Sequence, residues 1–523
     1  MKTRKIIPLV FLLFCITQLA AQHFRVQESI AFRSKILNRD IKYTVILPPN
    51  YDKCGKSYPV MYMLHGLGDN ESSWLEYGRV PQIIDQLTDQ KRIQPFICIL
   101  PQGFKSYYSD VYDGSFNYQQ MFVKELVPLV DSVYRTIAAP TQRAVAGYSM
   151  GGFGALVLPL KYPDVFGVSI SLSTSIRTDY QYSIEDQDGW NEQWGRIFDG
   201  KGKSGIARIT DFYKQNSPYY LIQNKDIKEL KKVVFYIENG DKENTLCRSN
   251  EFLHQLLFEK NIPHVYTVNE GGHEFRFWRN ALSNAFRFAD ARFRNIKYVP
   301  ETKPALKLNS VFPKDFYSVE ADSAGCKFRV IYPEKPESFS RLYPAIYFVS
   351  DLSDEQQNIL INIYRNLFKK ASLPPVLFCF IPAQSADKLS TVIARMDNSG
   401  KARPGWRFRA VWSYGQGGNS VLKQLFTSDY FAIGAFSASD ISLGEQEIGT
   451  LVATQPRLRE RLWLYIDAPA FDKYYQANSW LHISLREADF NHEFRTHSNT
   501  SSYETLITGF EPIISYISKK FHN

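Results

Sequence analysis

Apolar residues fall into two kinds of run along the first half of the chain. Short uninterrupted runs end at turn or proline signals. They include Tyr58-Pro59-Val60-Met61-Tyr62-Met63-Leu64, Pro95-Phe96-Ile97-Cys98-Ile99-Leu100, Ala144-Val145-Ala146, Phe166 to Leu172, Val233-Val234-Phe235-Tyr236-Ile237 and His264 to Val268. Such runs mark strands buried on both faces. Between them lie stretches of helical spacing, with Phe122, Val123, Leu126, Val130 and Val133 over 119–135 and further helices expected near 155–160, 248–260 and 276–291. Residues 24–47 read as β-structure, with alternation in Lys42-Tyr43-Thr44-Val45-Ile46-Leu47 stopped by Pro48-Pro49. Strands alternating with helices predict a mostly parallel α/β sheet with ligands at the carboxyl ends of its strands. Residues 174–230 break the rhythm and carry Trp190, Trp194 and Gly200-Lys201-Gly202-Lys203. Either they form a cap with substrate-binding tryptophans, or they are a structural excursion around two core tryptophans.

Past the polar linker Pro300-Glu301-Thr302-Lys303-Pro304 the same order of segments returns. Tyr343-Pro344-Ala345-Ile346-Tyr347-Phe348-Val349 echoes the run from Tyr58, and Phe378-Cys379-Phe380-Ile381-Pro382 echoes Ile97 to Pro101. Self-similarity of this kind predicts a duplicated fold. The expected architecture is two tandem α/β domains with mostly parallel central sheets, at 22–297 and 298–523, the second shorter. The offset between matched positions drops from 266 at Ser149/Gly415 to 228 at His273/Ser501, so about 38 residues are missing from the second copy where the first has its 174–230 insertion.

Composition changes this picture little. The 523 residues are 44% hydrophobic and 22% charged, ordinary for a globular protein. Lys2, Arg4 and Lys5 followed by the apolar stretch Ile6 to Ile16 and Ala20-Ala21 predict a cleavable signal peptide over 1–21, and hence a secreted or periplasmic product. No later stretch is apolar for long enough to span a membrane. Losing the three leader cations takes the formal charge from +9 to +6, too little over such a length to call for nucleic acid. Five cysteines remain (Cys54, Cys98, Cys247, Cys326, Cys379); they are widely spaced, with no C-x-x-C, so neither a zinc site nor a disulfide framework is indicated.

The candidate chemistry sits at 141–154. There the strand-like Ala144-Val145-Ala146 enters Gly147-Tyr148-Ser149-Met150-Gly151, and a helical run follows. This is the pattern of a nucleophile elbow, in which a tight strand-to-helix turn lifts a serine clear of the sheet. A serine hydroxyl needs an imidazole to take its proton and a carboxylate to orient that imidazole. His273, in Asn269-Glu270-Gly271-Gly272-His273 after the last strand, has the right position and order. The acid follows the strand at 233–237, where Glu238, Asp241 and Glu243 are candidates. Two backbone N–H groups for an oxyanion hole are expected at Met150 and, after the strand ending at Leu64, at Leu67.

These stretches resemble the putative-esterase branch of the α/β-hydrolases, which includes feruloyl and acetyl-xylan esterases, S-formylglutathione hydrolase and mycolyltransferases. The resemblance rests on Tyr-Pro-Val-Met-Tyr-Met-Leu-His-Gly at 58–66, Glu-Leu-Val-Pro-Leu-Val-Asp at 125–131, Ala-Gly-Tyr-Ser-Met-Gly-Gly-Phe-Gly at 146–154 and Gly-Gly-His-Glu-Phe-Arg-Phe-Trp at 271–278. It implies ester hydrolysis through an acyl-serine, with no metal and no cofactor. The implied substrates are acylated carbohydrates or small aryl or alkyl esters, with feruloyl or acetyl groups on plant-type polysaccharides foremost. Other acyl-ester or thioester hydrolysis, acyl transfer, and a non-catalytic glycan-binding or assembly role are the alternatives. In this family the acid follows a glycine by three residues as Gly-x-x-Asp; here that position is Glu243, with Asp241 the alternative. In the second copy Gly415 replaces Ser149, Ser350-Asp351 replaces His65-Gly66, Asp472 stands for Glu243 and Ser501 for His273. That copy is expected to be a pseudo-esterase, open to a glycan or oligomer contact.

Overall fold

The computed structural model describes residues 24–300, 308–335, 341–370, 372–498 and 501–521. The expected leader at 1–21 lies outside them. Eight strands come from the first half: β1 (Arg25–Ser34), β2 (Arg39–Leu47), β3 (Val60–Leu64), β4 (Ile97–Pro101), β5 (Arg143–Tyr148), β6 (Val168–Leu172), β7 (Val234–Gly240) and β8 (His264–Asn269). Eight more follow: β9 (Tyr317–Ser323), β10 (Cys326–Tyr332), β11 (Ala345–Val349), β12 (Leu377–Ile381), β13 (Arg409–Gly415), β14 (Ile433–Ser439), β15 (Trp463–Pro469) and β16 (His492–His497).

All belong to one 16-stranded sheet in the order β1-β2-β4-β3-β5-β6-β7-β8-β16-β15-β14-β13-β11-β12-β10-β9. From β4 to β8 the pairing is parallel, and β1 and β2 join antiparallel at the edge. The second half runs the same order in reverse across the sheet, with parallel pairing from β12 to β16 and β9 and β10 antiparallel at the far edge. The halves meet at an antiparallel β8–β16 contact centred on Val268 and Thr496. The first half is the mostly parallel α/β-hydrolase-type sheet that the apolar runs predict. Every residue of β3, β4, β5 and β6 is buried, as expected of strands covered on both faces.

Packing across the seam follows a local two-fold pattern. The helices Asn244–Glu259 and Tyr475–Glu487 lie side by side. In the first half His254 Nδ1 stands 2.8 Å from His264 Nε2, and in the second His482 Nδ1 stands 2.8 Å from His492 Nε2. Arg248 pairs with Glu445 and Glu487, Tyr475 donates to Glu251, and His254 Nε2 donates to Ala470 O at 2.8 Å.

Two local features depart from simple periodicity. The helix expected over 119–135 is interrupted by a wide turn at Phe122–Leu126, between short helices Tyr118–Met121 and Val127–Val133. Pro128 has no N–H and its ring crowds the preceding turn, which the widening relieves. The helix Met150–Lys161 carries three glycines and Pro159, poor helix formers, yet every residue but Lys161 is buried. Tertiary packing overrides propensity there.

Candidate active site

The elbow shows why its sequence is so constrained. Ser149 sits between β5 and the helix Met150–Lys161 with φ 55° and ψ −119°, a conformation few non-glycine residues adopt. Its N–H donates to Leu172 O at 3.0 Å, and its carbonyl accepts from Phe153 and Ser175 N–H at 3.1 Å each. A Cβ on Gly147 would lie 2.3 Å from Gly151 O, and one on Gly151 would lie 2.3 Å from Leu64 O. The strand and helix approach too closely at these two positions for any side chain.

The structure brings Ser149, His273 and Glu243 together. His273 Nε2 lies 2.9 Å from Ser149 Oγ, and His273 Nδ1 lies 2.9 Å from Glu243 Oε2. With Nδ1–H donating to the carboxylate, the Nε2 lone pair is left to face the serine hydroxyl. Glu243 is 2% exposed, at the start of the helix Asn244–Glu259, while the His273 side chain is 40% exposed. Trp278 meets the imidazole edge-on at 5.2 Å and stacks on Tyr148 at 4.1 Å, and its indole N–H donates to Ser173 Oγ at 2.9 Å. The histidine therefore rests against a wall of fixed aromatic rings.

Asp241 is placed elsewhere. Its Oδ1 accepts from Gly271 N–H at 3.1 Å and its Oδ2 pairs with Arg495 at 2.5 Å. Glu238, the third acid considered, is buried and accepts from Asn269 Nδ2 at 2.8 Å and from the Tyr236 hydroxyl; burial pushes its carboxyl up.

Met150 opens the helix after the serine, where an N–H has no intrahelical acceptor, and Leu67 lies in the loop leaving β3. Among the described residues no hydrogen-bond partner is found for either N–H. The Leu67 loop is braced by His65, whose Nδ1–H donates to Gly66 O at 2.8 Å while Nε2 accepts from Gly103 N–H at 2.7 Å. Burial lowers the His65 pKa, in keeping with a neutral ring that donates from one nitrogen and accepts at the other. Sequence order excluded His65 as a base; its bracing role depends on a loop 38 residues away that only the fold brings near.

Trp190 and Trp194 do not face this site, which corrects the expectation that they bind substrate. Both are 0% exposed. The Trp190 indole donates to Gly200 O at 2.6 Å and Arg208 lies over its ring, while Trp194 packs on Tyr107, Tyr182 and Phe198. They are the core of the 174–230 segment, because a small segment of short helices needs large apolar side chains to hold itself together. That segment does reach the elbow, since Ser175 N–H donates to Ser149 O at 3.1 Å, and Tyr107 touches both Ser175 and Gln193. Against the same segment opens a cleft of about 650 Å³ whose lining includes Arg39, Phe104, Lys105, Phe116, Arg196 and Lys201, and no residue of the elbow.

All five described cysteines are free thiols, four of them buried. Among the described residues no group of three or more His, Cys, Asp or Glu side chains could hold a metal ion, and no helix is long and apolar enough to cross a membrane.

Comparison with known proteins gives a consistent picture for the first half. Residues 34–289 match the family model described as putative esterase. An endo-1,4-beta-xylanase/feruloyl esterase from Xylanibacter ruminicola is 28% identical over 270 residues, covering 50% of this chain and 30% of the relative. An acetyl esterase from Caldicellulosiruptor saccharolyticus is 26% identical over 278 residues, covering 50% of this chain and 96% of the relative. Among solved structures, a ferulic acid esterase is 26% identical and covers 52% of this chain and 100% of its own, with a TM-score of 0.44. The chain thus spans less than a third of the length of the Xylanibacter relative.

Proposed function

With residues 34–289 belonging to the putative-esterase family, we propose that this protein is a serine carboxylic-ester hydrolase working through an acyl-serine intermediate. The observation that carries this is the Ser149–His273–Glu243 relay, with two contacts of 2.9 Å in line. His273 Nε2 takes the proton of Ser149 Oγ as the oxygen attacks the ester carbonyl. Glu243 holds the Nδ1–H tautomer and balances the imidazolium charge. In this reading the developing oxyanion is met by the N–H groups of Met150 and Leu67, both left without a partner among the described residues. The imidazolium then protonates the leaving alkoxide. In the second half-reaction His273 draws a proton from water as its oxygen attacks the acyl-serine, and the imidazolium then returns that proton to Ser149 Oγ as the acid leaves.

Feruloyl or acetyl groups on plant-type polysaccharides are the proposed substrates. Support comes from the names of the relatives, which include a feruloyl esterase and an acetyl esterase. A cleft with aromatic and cationic walls, partly lined by Arg196 and Lys201 of the 174–230 segment, offers room for a saccharide. A signal peptide at 1–21 would place the enzyme outside the cytoplasm, where such polymers are met. The second half is proposed to be a pseudo-esterase copy. Its strand order repeats the first, Gly415 occupies the serine's position at the end of β13, and Asp472 accepts from Ser502 at the equivalent loops.

The test is release of acid from methyl ferulate, acetylated xylan and an aryl acetate by the purified full-length protein, with added alcohols or sugars as competing acceptors. Hydrolysis of at least one ester, lost in Ser149→Ala, is expected. No release from any of them, or full activity without Ser149, rejects the proposal; dominant transfer to the added acceptor would reassign it to the acyltransferases.

A further inference from the structure

We propose that the second half of the chain takes part in catalysis by the first: Arg495, assisted by Arg486, is a positioning residue that holds the loops of Glu243 and His273 in register through Asp241. This rests on the reading of Ser149, His273 and Glu243 as the catalytic triad.

The two loops are laced together at one point. Asp241 N–H donates to Asn269 O at 2.9 Å, and Lys242 N–H to Gly271 O at 2.9 Å. The Asp241 carboxylate closes the lacing by accepting from Gly271 N–H at 3.1 Å. Glu243 is two residues beyond Asp241, and His273 two beyond Gly271. A displacement of Asp241 therefore passes directly into the contact between Glu243 Oε2 and His273 Nδ1.

Asp241 does not hold itself in place. Its side chain is 0% exposed, and a buried carboxylate without a partner is strongly unfavourable. Among the described residues its one ion-pair partner is Arg495 at 2.5 Å, 254 positions away on β16. Phe494 N–H also reaches Oδ2 at 3.4 Å, and Arg486 donates to the Asp241 carbonyl at 2.7 Å. Arg495 is itself only 11% exposed and fixed by Glu493 at 2.7 Å. All three contacts come from the second half. Other contacts across the seam include Arg248 with Glu445 and Glu487, Tyr475 with Glu251, Gln255 with Ser479, His254 with Ala470 and Tyr266 with Ser498, none of which is in the laced segments 240–243 or 269–273. The cation that sets the acid and base loops is thus a specific contribution, separable from general adhesion between the halves.

The test uses the full-length protein and four variants: Arg495→Met, Arg495→Lys, Asp241→Asn/Arg495→Met, and Arg248→Met as a seam control. Each is assayed for aryl-ester turnover and for its rate of labelling by a fluorophosphonate. Arg495→Met should lower kcat by roughly 10- to 100-fold, as expected of a sub-ångström misplacement, with KM within about twofold. Arg495→Lys should recover part of the loss. The double variant should recover more, because an amide oxygen still accepts from Gly271 N–H without needing a cation. Arg248→Met should stay within about twofold of wild type. A one-dimensional proton spectrum gives a readout independent of turnover: a low-field imidazole Nδ1–H signal that Glu243→Gln removes should be lost in Arg495→Met and kept in Arg248→Met. Wild-type kcat and an intact low-field signal in folded Arg495→Met would overturn the proposal, as would an equal loss in Arg248→Met. Should Arg495→Met not fold, Arg495→Lys and the double variant carry the same comparison. Failure of the wild type to label or to hydrolyse any ester would count against the esterase reading itself, and the proton signal would still decide whether Arg495 holds the Glu243–His273 contact.

Discussion

Glu243 accepts from His273 at 2.9 Å, while Asp241, equally buried and two residues upstream, turns to Arg495. Two carboxylates of one loop thus have different work. Glu243→Gln should lower kcat about 10⁴-fold, by favouring the wrong imidazole tautomer, and leave thermal stability nearly unchanged. Asp241→Asn should reverse the balance, lowering Tm while reducing kcat less than about 100-fold. Steady-state kinetics and thermal melts of the two variants check this directly.

Ser149→Ala should reduce turnover roughly 10⁴-fold or more and abolish fluorophosphonate labelling of the whole chain. Putting a serine into the second elbow should not help. A Cβ on Gly415 meets nothing within 4 Å, so Gly415→Ser has space, though at φ +63° it strains the backbone by about 1 kcal/mol. With Ser501 where a histidine is needed, Gly415→Ser in the Ser149→Ala background should restore neither labelling nor turnover.

Gly147→Ala and Gly151→Ala should each be severely destabilising, on the order of 2–4 kcal/mol, because backbone stands 2.3 Å from the added carbon and cannot swing aside. Soluble yield and Tm are the measurements, and loss of activity should follow loss of fold.

Trp194→Ala should behave as a core truncation, costing about 3–5 kcal/mol of local stability, since the ring is wholly enclosed by Tyr107, Tyr182 and Phe198. Increased proteolysis within 174–230 should accompany it. A selective rise in KM with unchanged protease resistance would instead restore a direct substrate contact.

Burial pushes Glu251 and Asp467 up to about 7 each. Unfolded, both titrate near pH 4, so between about pH 4 and 7 the folded protein retains protons that the unfolded chain has lost. Their contribution to stability is therefore greatest at the acid end and falls as pH rises through that window, by about 4 kcal/mol per group at most. Denaturant melts at pH 5 and pH 8 should show the decline, and Glu251→Gln with Asp467→Asn should flatten it.

The linear sequence by itself marked the buried strands of the first half and the elbow, though not the strands Tyr317–Ser323 and Ile433–Ser439 of the second. Short continuous apolar runs such as Val60 to Leu64, bounded by Pro59 and Gly66, mark two-sided strands, and Gly147 and Gly151 flank Ser149 because no other residue fits the turn. It also determined the order of Ser149, acid and His273, and the echo of the first half in the second. Tertiary structure decided what spacing leaves open. Asp241 and Glu243 are both short-range candidates from the same loop, and only the path of that loop sends one to His273 and the other to Arg495. The tryptophans at 190 and 194 read equally as mouth or core, because aromatic composition carries no direction; packing turned both inward. The seam between β8 and β16 had no local signal at all, since its contacts join residues about two hundred positions apart or more, and charge pairing at that distance is set by the fold alone.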